Sequence, residues 1–127
     1  MPRFDPTPAG PGPQVRGFTA GGGFVIDGER YEAALLTPER VTAWSPPPRA
    51  ELILEDLAAV LDLEPVPEFL LFGSGPTLAR PPRALADALQ ERGIGIEVMD
   101  SRTAARTWGV LRAEERWIVA ALLPLRQ

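Results

Sequence analysis

The chain has 127 residues, 45% hydrophobic and 24% charged, proportions that fit one globular domain with a self-sufficient core and neither wholesale disorder nor a membrane protein. It contains no Cys, His or Lys, which excludes disulfides, a zinc site of the usual nitrogen and sulfur type, a thiol nucleophile, a Ser-His-Asp triad, a Walker-type phosphate loop and a Schiff base. All 13 basic residues are Arg, scattered along the chain, and the net charge of −4 speaks against a nucleic-acid partner.

Chemistry is thereby left to carboxylates, Arg, hydroxyls and the backbone, and neither a metal nor a cofactor is expected. Residues 1 to 23 hold five Pro and six Gly, and residues 1–16 read as a flexible Pro/Gly-rich tail ahead of a single domain at 17–127. "MPRFDPTPAGPG" lacks the apolar core of a secretory signal, and no apolar run reaches the roughly 18 residues of a membrane helix, so a cytoplasmic address without a membrane span is the expectation.

In "FVIDGERYEAALLT" the pair Asp27-Gly28 separates two strand-like runs, a short-range signal for a hairpin. "RVTAW" (40–44) reads as a further short strand, closed by "SPPPR". From Glu51 to Leu63 the period changes: Ile53, Leu57, Val60 and Leu61 form one stripe of an amphipathic helix bounded by Pro65 and Pro67. "EFLLF" is a continuous apolar run, as expected of a strand buried on both faces. A helix follows over about 82–92 with Leu85, Ala88 and Leu89 inward, and Gly93 suits its left-handed C′ position. "GIEVM" is the next strand, "DSRTAARTWGVLRAEE" the next helix, and "RWIVAALLPL" the last strand. The alternation predicts an α/β domain: a central mixed sheet with helices packed on it, preceded by an N-terminal β-hairpin.

If 68–72 and 95–99 are neighbouring parallel strands, their carboxyl ends bring Gly73, Ser74 and Gly75 close to Asp100, Ser101, Arg102 and Thr103. Such an edge is where open α/β sheets commonly hold ligands, and Arg102 and Arg106, one turn apart, would add charge-assisted bonds to an anion. The local motifs are incomplete. "GSGPTL" has Leu78 where a dinucleotide fingerprint wants its third Gly, and Phe72 and Pro76 occupy the outer positions of a G-x-S-x-G elbow. The competing account is structural: the glycines turn the chain, Asp100 caps a helix, and Arg102 or Arg106 pairs with an acid. Trp108 likewise reads as core, on one stripe with Ala104, Ala105 and Leu111. Among the 17 acidic residues no pair recommends itself as acid and base.

Taken together, "GGFVIDGERYEAALL", "LLFGSG" and "IEVMDSRTAARTWGVL…VAALLPL" resemble the small Mth-type domain of unknown function, a family that includes the third assembly factor of mitochondrial respiratory complex I and the adipogenesis-associated Mth-domain protein. The resemblance runs from about residue 17 to residue 125. It implies a three-layer α/β fold whose central mixed five-stranded sheet has one strand antiparallel to the rest. It further implies no established enzymatic activity, action by association with proteins, and a family pattern at Gly73, Ser74, Gly75, Asp100, Ser101, Arg106 and Thr107. Where many relatives read Ala-Cys-Arg-Thr-Tyr-Asn, residues 104–109 read Ala-Ala-Arg-Thr-Trp-Gly, so the thiol is replaced by Ala105.

Two functions of different class follow. One is a non-enzymatic interaction module, with a protein partner, assisting assembly or biogenesis of a larger respiratory or membrane complex. The other is a protein or enzyme that holds a small anionic ligand at the edge formed by Gly73, Ser74, Gly75, Asp100, Ser101, Arg102, Arg106 and Thr107. A self-associating structural piece is a third, and the sequence sets no oligomeric state.

Overall fold

The computed structural model describes residues 12–126. Most of the stretch read as a tail lies outside the described residues. β1 (Val15–Phe18) spans the expected boundary between residues 16 and 17, and just before it Pro13 is buried, its carbonyl accepting the indole N–H of Trp108 at 2.9 Å. β1 pairs antiparallel with β2 (Phe24–Ile26), which pairs antiparallel with β3 (Glu29–Tyr31), making a three-stranded sheet. The turn between β2 and β3 is the expected two-residue loop. Asp27 and Gly28 have φ of 51° and 85°, the doubly positive geometry that matches the twist of a tight hairpin.

The second of those two runs is divided: after β3 the chain leaves this sheet. β4 (Ala34–Leu36) joins β5 (Val41–Ala43) in a five-stranded sheet with β6 (Phe69–Gly73), β7 (Gly95–Met99) and β8 (Val119–Leu122), in the order β5-β4-β8-β6-β7. β6 is parallel to both β7 and β8, whereas β4 is antiparallel to β8 and to β5. One strand of five therefore runs against the others, as the family resemblance implies.

Side-chain alternation on the central strands explains their unbroken apolar sequences, since both faces are covered. Leu71, Ala120 and Leu122 share one core with Trp108, Ala104 and Ala105 of α3 (Ser101–Ala113) and with Phe24 and Ile26 of the small sheet. Leu70, Phe72, Val119 and Ala121 share the opposite core with Leu57, with Val60 of the one-turn α1 (Ala58–Leu61), and with Leu85 and Leu89 of α2 (Arg83–Glu91). Three layers result. α2 ends as Gly93 allows: with φ of 79° there, the amides of Gly93 and Ile94 return to the carbonyls of Gln90 and Leu89.

The single helix expected from Glu51 to Leu63 is a correction. The segment breaks into 3₁₀ turns at Arg49–Glu51 and Leu54–Leu57, then the single turn of α1. The cause is local. The Asp56 carboxylate accepts the Ile53 amide hydrogen at 2.9 Å and holds Ile53 extended, at φ −127° and ψ 169°, which stops one turn and starts the next. Ile53 is thereby turned outward, 56% exposed, and Leu52 takes its place in the core.

Candidate functional site

The strand pairings align Ala43, Ala34, Leu122, Gly73 and Met99 as one row across the large sheet. Because β5, β6, β7 and β8 run the same way, the segments that follow them all emerge at this carboxyl edge. Gly73, Ser74, Gly75, Asp100 and Ser101 meet here, as the sequence leads one to expect.

The edge is fastened shut by its own polar groups. Ser74 N–H donates to Met99 O at 2.9 Å, Ser101 N–H to Gly75 O at 2.8 Å, and Leu123 N–H to Gly73 O at 3.0 Å. The Ser101 hydroxyl, fully buried, donates to Leu123 O and accepts from Gly75 N–H, both at 2.8 Å. One side chain thus ties the start of α3 to the ends of β6 and β8. The Ser74 hydroxyl is used in the same way, donating to Thr77 O at 2.7 Å and accepting from Ala79 N–H at 3.0 Å. Gly73 is required by this closeness: a Cβ there would lie 2.9 Å from Ser101 Oγ and 3.0 Å from Ser101 Cα. Gly75 has φ of 106°, a conformation L side chains rarely adopt.

Asp100 is the N-cap of α3. Its carboxylate accepts from the Thr103 hydroxyl at 2.6 Å and from Thr103 N–H at 3.0 Å, and these bonds, the hydroxyl first, hold its pKa below the usual carboxylate value. Arg102 and Arg106 turn elsewhere: both guanidiniums lie over the Phe18 ring of β1, at 5.4 and 5.7 Å from its centroid. Thr107 is half-buried on α3, two turns past Asp100.

Beside the fastened edge lies a cleft of about 610 Å³. Five prolines line it, Pro46, Pro47, Pro48, Pro76 and Pro124, together with Leu123, Ala50, the arginines Arg49 and Arg126, and two of the residues expected at a site, Ser74 and Gly75. Sequence reasoning passed over both arginines, because "SPPPR" and the chain's last residues carry no motif. Their signal was topological, in the shared direction of β5 and β8. Arg49 donates from Nη1 to Arg80 O, and Arg126 from Nη1 to Gly21 O at 3.0 Å. Gly22, at φ 95°, leaves room for the Arg126 stem: a Cβ there would stand 2.7 Å from its Cδ. Among the described residues no group of three or more Asp or Glu side chains is arranged to hold a metal ion.

The sequence profile of the family described as "Protein of unknown function (DUF498/DUF598)" matches residues 18–123. "NADH dehydrogenase [ubiquinone] 1 alpha subcomplex assembly factor 3" of Danio rerio is 31% identical over 103 residues, which are 80% of this chain and 59% of that protein. The human protein of the same name is also 31% identical, over 80% of this chain and 56% of its own. The chain thus spans somewhat over half the length of these relatives. Among solved structures, a Bordetella parapertussis protein superposes with a TM-score of 0.79 at 32% identity, covering 92% of this chain and 99% of its own. A Bordetella pertussis protein described as a Mth938-like domain gives 0.77 at 27% identity, over 100% and 94%.

Proposed function

Since the chain belongs to the DUF498/DUF598 family of Mth-type domains, we propose that it is a non-enzymatic interaction module that assists assembly of a larger membrane-bound complex, the respiratory NADH dehydrogenase being the client. The observation that carries this reading is the kinship with proteins named as assembly factors of that complex. The carboxyl edge supports it chemically. Its serine hydroxyls and the Asp100 carboxylate are each held by internal hydrogen bonds, so none stands ready as nucleophile or base.

On this reading the domain acts in the cytoplasm through a protein partner, and no described helix is long and apolar enough to cross a membrane. Among the described residues the large exposed hydrophobic side chains, Ile53, Val66, Leu78 and Val110, lie on separate segments. The test is removal of the gene from its native cell, followed by native gel analysis of solubilised membranes with an in-gel NADH dehydrogenase stain. Loss of the mature complex with accumulation of partly assembled species, restored by the wild-type chain, is the expected result. An unchanged amount and size of the complex would overturn the assignment.

A further inference from the structure

The proline-lined cleft has a composition that the assembly reading does not use. Its volume of about 610 Å³ is that of a small-molecule site. The walls are pyrrolidine rings, Leu123, Ala50 and the Ser74-Gly75 turn, which lose little or no side-chain freedom when a ligand docks. Among the described residues no carboxylate lines it, although the chain carries 17 acidic residues against 13 basic ones. Both charged residues at the cleft are arginines, with no acidic partner among the described residues, and each is steadied by one bond to a backbone carbonyl that leaves its other N–H groups available.

We propose that this cleft binds a small organic carboxylate with an aromatic or branched aliphatic body, the apolar part against the prolines and Leu123 and the carboxylate against Arg49 and Arg126. A guanidinium presents a planar fork of donors that matches a carboxylate, and restraint of that fork before binding lowers the ordering cost. A phosphate is the poorer fit. Phosphate sites draw on free backbone amides and helix N-termini, and here the amides of Ser74, Gly75, Ala79 and Leu123 are all engaged while Asp100 sits at the start of α3. Those same engaged groups leave an extended peptide backbone little to pair with, which favours a small molecule over a chain segment.

The probe is 3-phenylpropionate, titrated into the isotope-labelled full chain and followed by amide NMR, with neutral 3-phenylpropanamide as its isostere. The carboxylate is expected to shift the Gly75, Ala50 and Leu123 amides saturably, with a Kd between about 0.1 and 10 mM, the range a few charge-assisted bonds and a modest apolar contact give a fragment. Arg49→Gln combined with Arg126→Gln should weaken it at least about tenfold, whereas Arg106→Gln, over Phe18, should not. Equal binding of the amide, equal loss with Arg106→Gln, or no saturation in that range would overturn the proposal. So would binding of acetyl-Ala-Ala-Phe with a free carboxylate more than about tenfold tighter, which would give the cleft to a protein terminus instead. Unchanged amide dispersion in the variants shows that they are folded. None of these outcomes bears on the native-gel result, so the two readings stand or fall separately.

Discussion

Replacing Ser101 by Ala removes one oxygen and orphans two buried backbone groups. The Gly75 amide hydrogen loses its acceptor and the Leu123 carbonyl loses its donor, each from a bond of 2.8 Å. Water does not replace them, because Ser101 is 0% exposed and Leu123 5%. An unsatisfied buried group costs about 1–3 kcal/mol, and partial relaxation of the edge should leave a total of about 2–4 kcal/mol. Against a stability of about 5–15 kcal/mol that is a large fraction. For a chain of this size each kcal/mol moves Tm by about 3–5 °C, so a fall of about 6–20 °C is expected. The assay is urea and thermal unfolding followed by tryptophan fluorescence, with Trp108 as a fully buried reporter. Thr103→Ala is the comparison, since its hydroxyl bonds only to Asp100 in an exposed contact and its loss should cost no more than about 1 kcal/mol. Equal losses in the two variants, or a Ser101→Ala loss under about 0.5 kcal/mol, would refute the view that this hydroxyl fastens the sheet edge.

Three further outcomes follow from the same geometry. Gly73→Ala should destabilise by about 1–3 kcal/mol, because the new methyl meets Ser101 Oγ at 2.9 Å and Leu122 Cδ2 at 3.0 Å; combined with Ser101→Ala the loss in urea unfolding should fall short of the sum, since the closest contact is then gone. Asp100→Asn keeps an N-cap acceptor, so its loss at neutral pH should be small. The wild-type Asp100 carboxylate has a folded pKa below its unfolded one, so the unfolded chain takes up the proton first as pH falls. Its stabilisation is present in full above the ordinary value of about 3.9 and is lost as pH drops through the lower folded value, so the gap between wild type and variant should close on acidification in urea titrations. Glu115, exposed at φ 60°, occupies the C′ position of α3, where its amide and that of Arg116 return to the carbonyls of Arg112 and Leu111. Glu115→Gly relieves the left-handed strain and should stabilise by about 0.5–1 kcal/mol after the greater freedom of the unfolded chain is counted, read as a raised urea midpoint.

Elements whose signals are local were legible before the structure. Asp27-Gly28 specifies its turn by φ alone, Gly93 its helix end, and "GIEVM" its strand. The stretch from Glu51 to Leu63 departs from its apolar pattern for a local reason too. Its apolar spacing fits a helix, yet one carboxylate, Asp56, offers the Ile53 amide a better partner than helical continuation does. Where Arg102 and Arg106 go was a different kind of problem. The i, i+4 spacing shows that they share a face of α3, but which way that face points depends on Trp108 and Ala104 filling the core and on β1 supplying Phe18, a contact distant in sequence.

The Gly73-Ser74-Gly75 and Asp100-Ser101 segments draw the eye because small and hydroxyl residues also build ligand sites. In this fold those properties serve closure. A glycine lets α3 approach, and a hydroxyl with one proton and two lone pairs joins groups from two other segments. Once closed, the edge has few free donors of its own, and the binding proposed at this end of the sheet draws on the prolines and arginines that follow β5 and β8 together with Ser74, Gly75 and Pro76. Ser74 and Gly75 thus both fasten this edge and border the cleft, whereas the proposed charged contacts come from Arg49 and Arg126. Ser101→Ala should lower stability in the way worked out above, whereas Arg49→Gln and Arg126→Gln, each giving up one rim hydrogen bond to a backbone carbonyl, should cost about 1 kcal/mol or less in unfolding while removing the positive charge from the cleft.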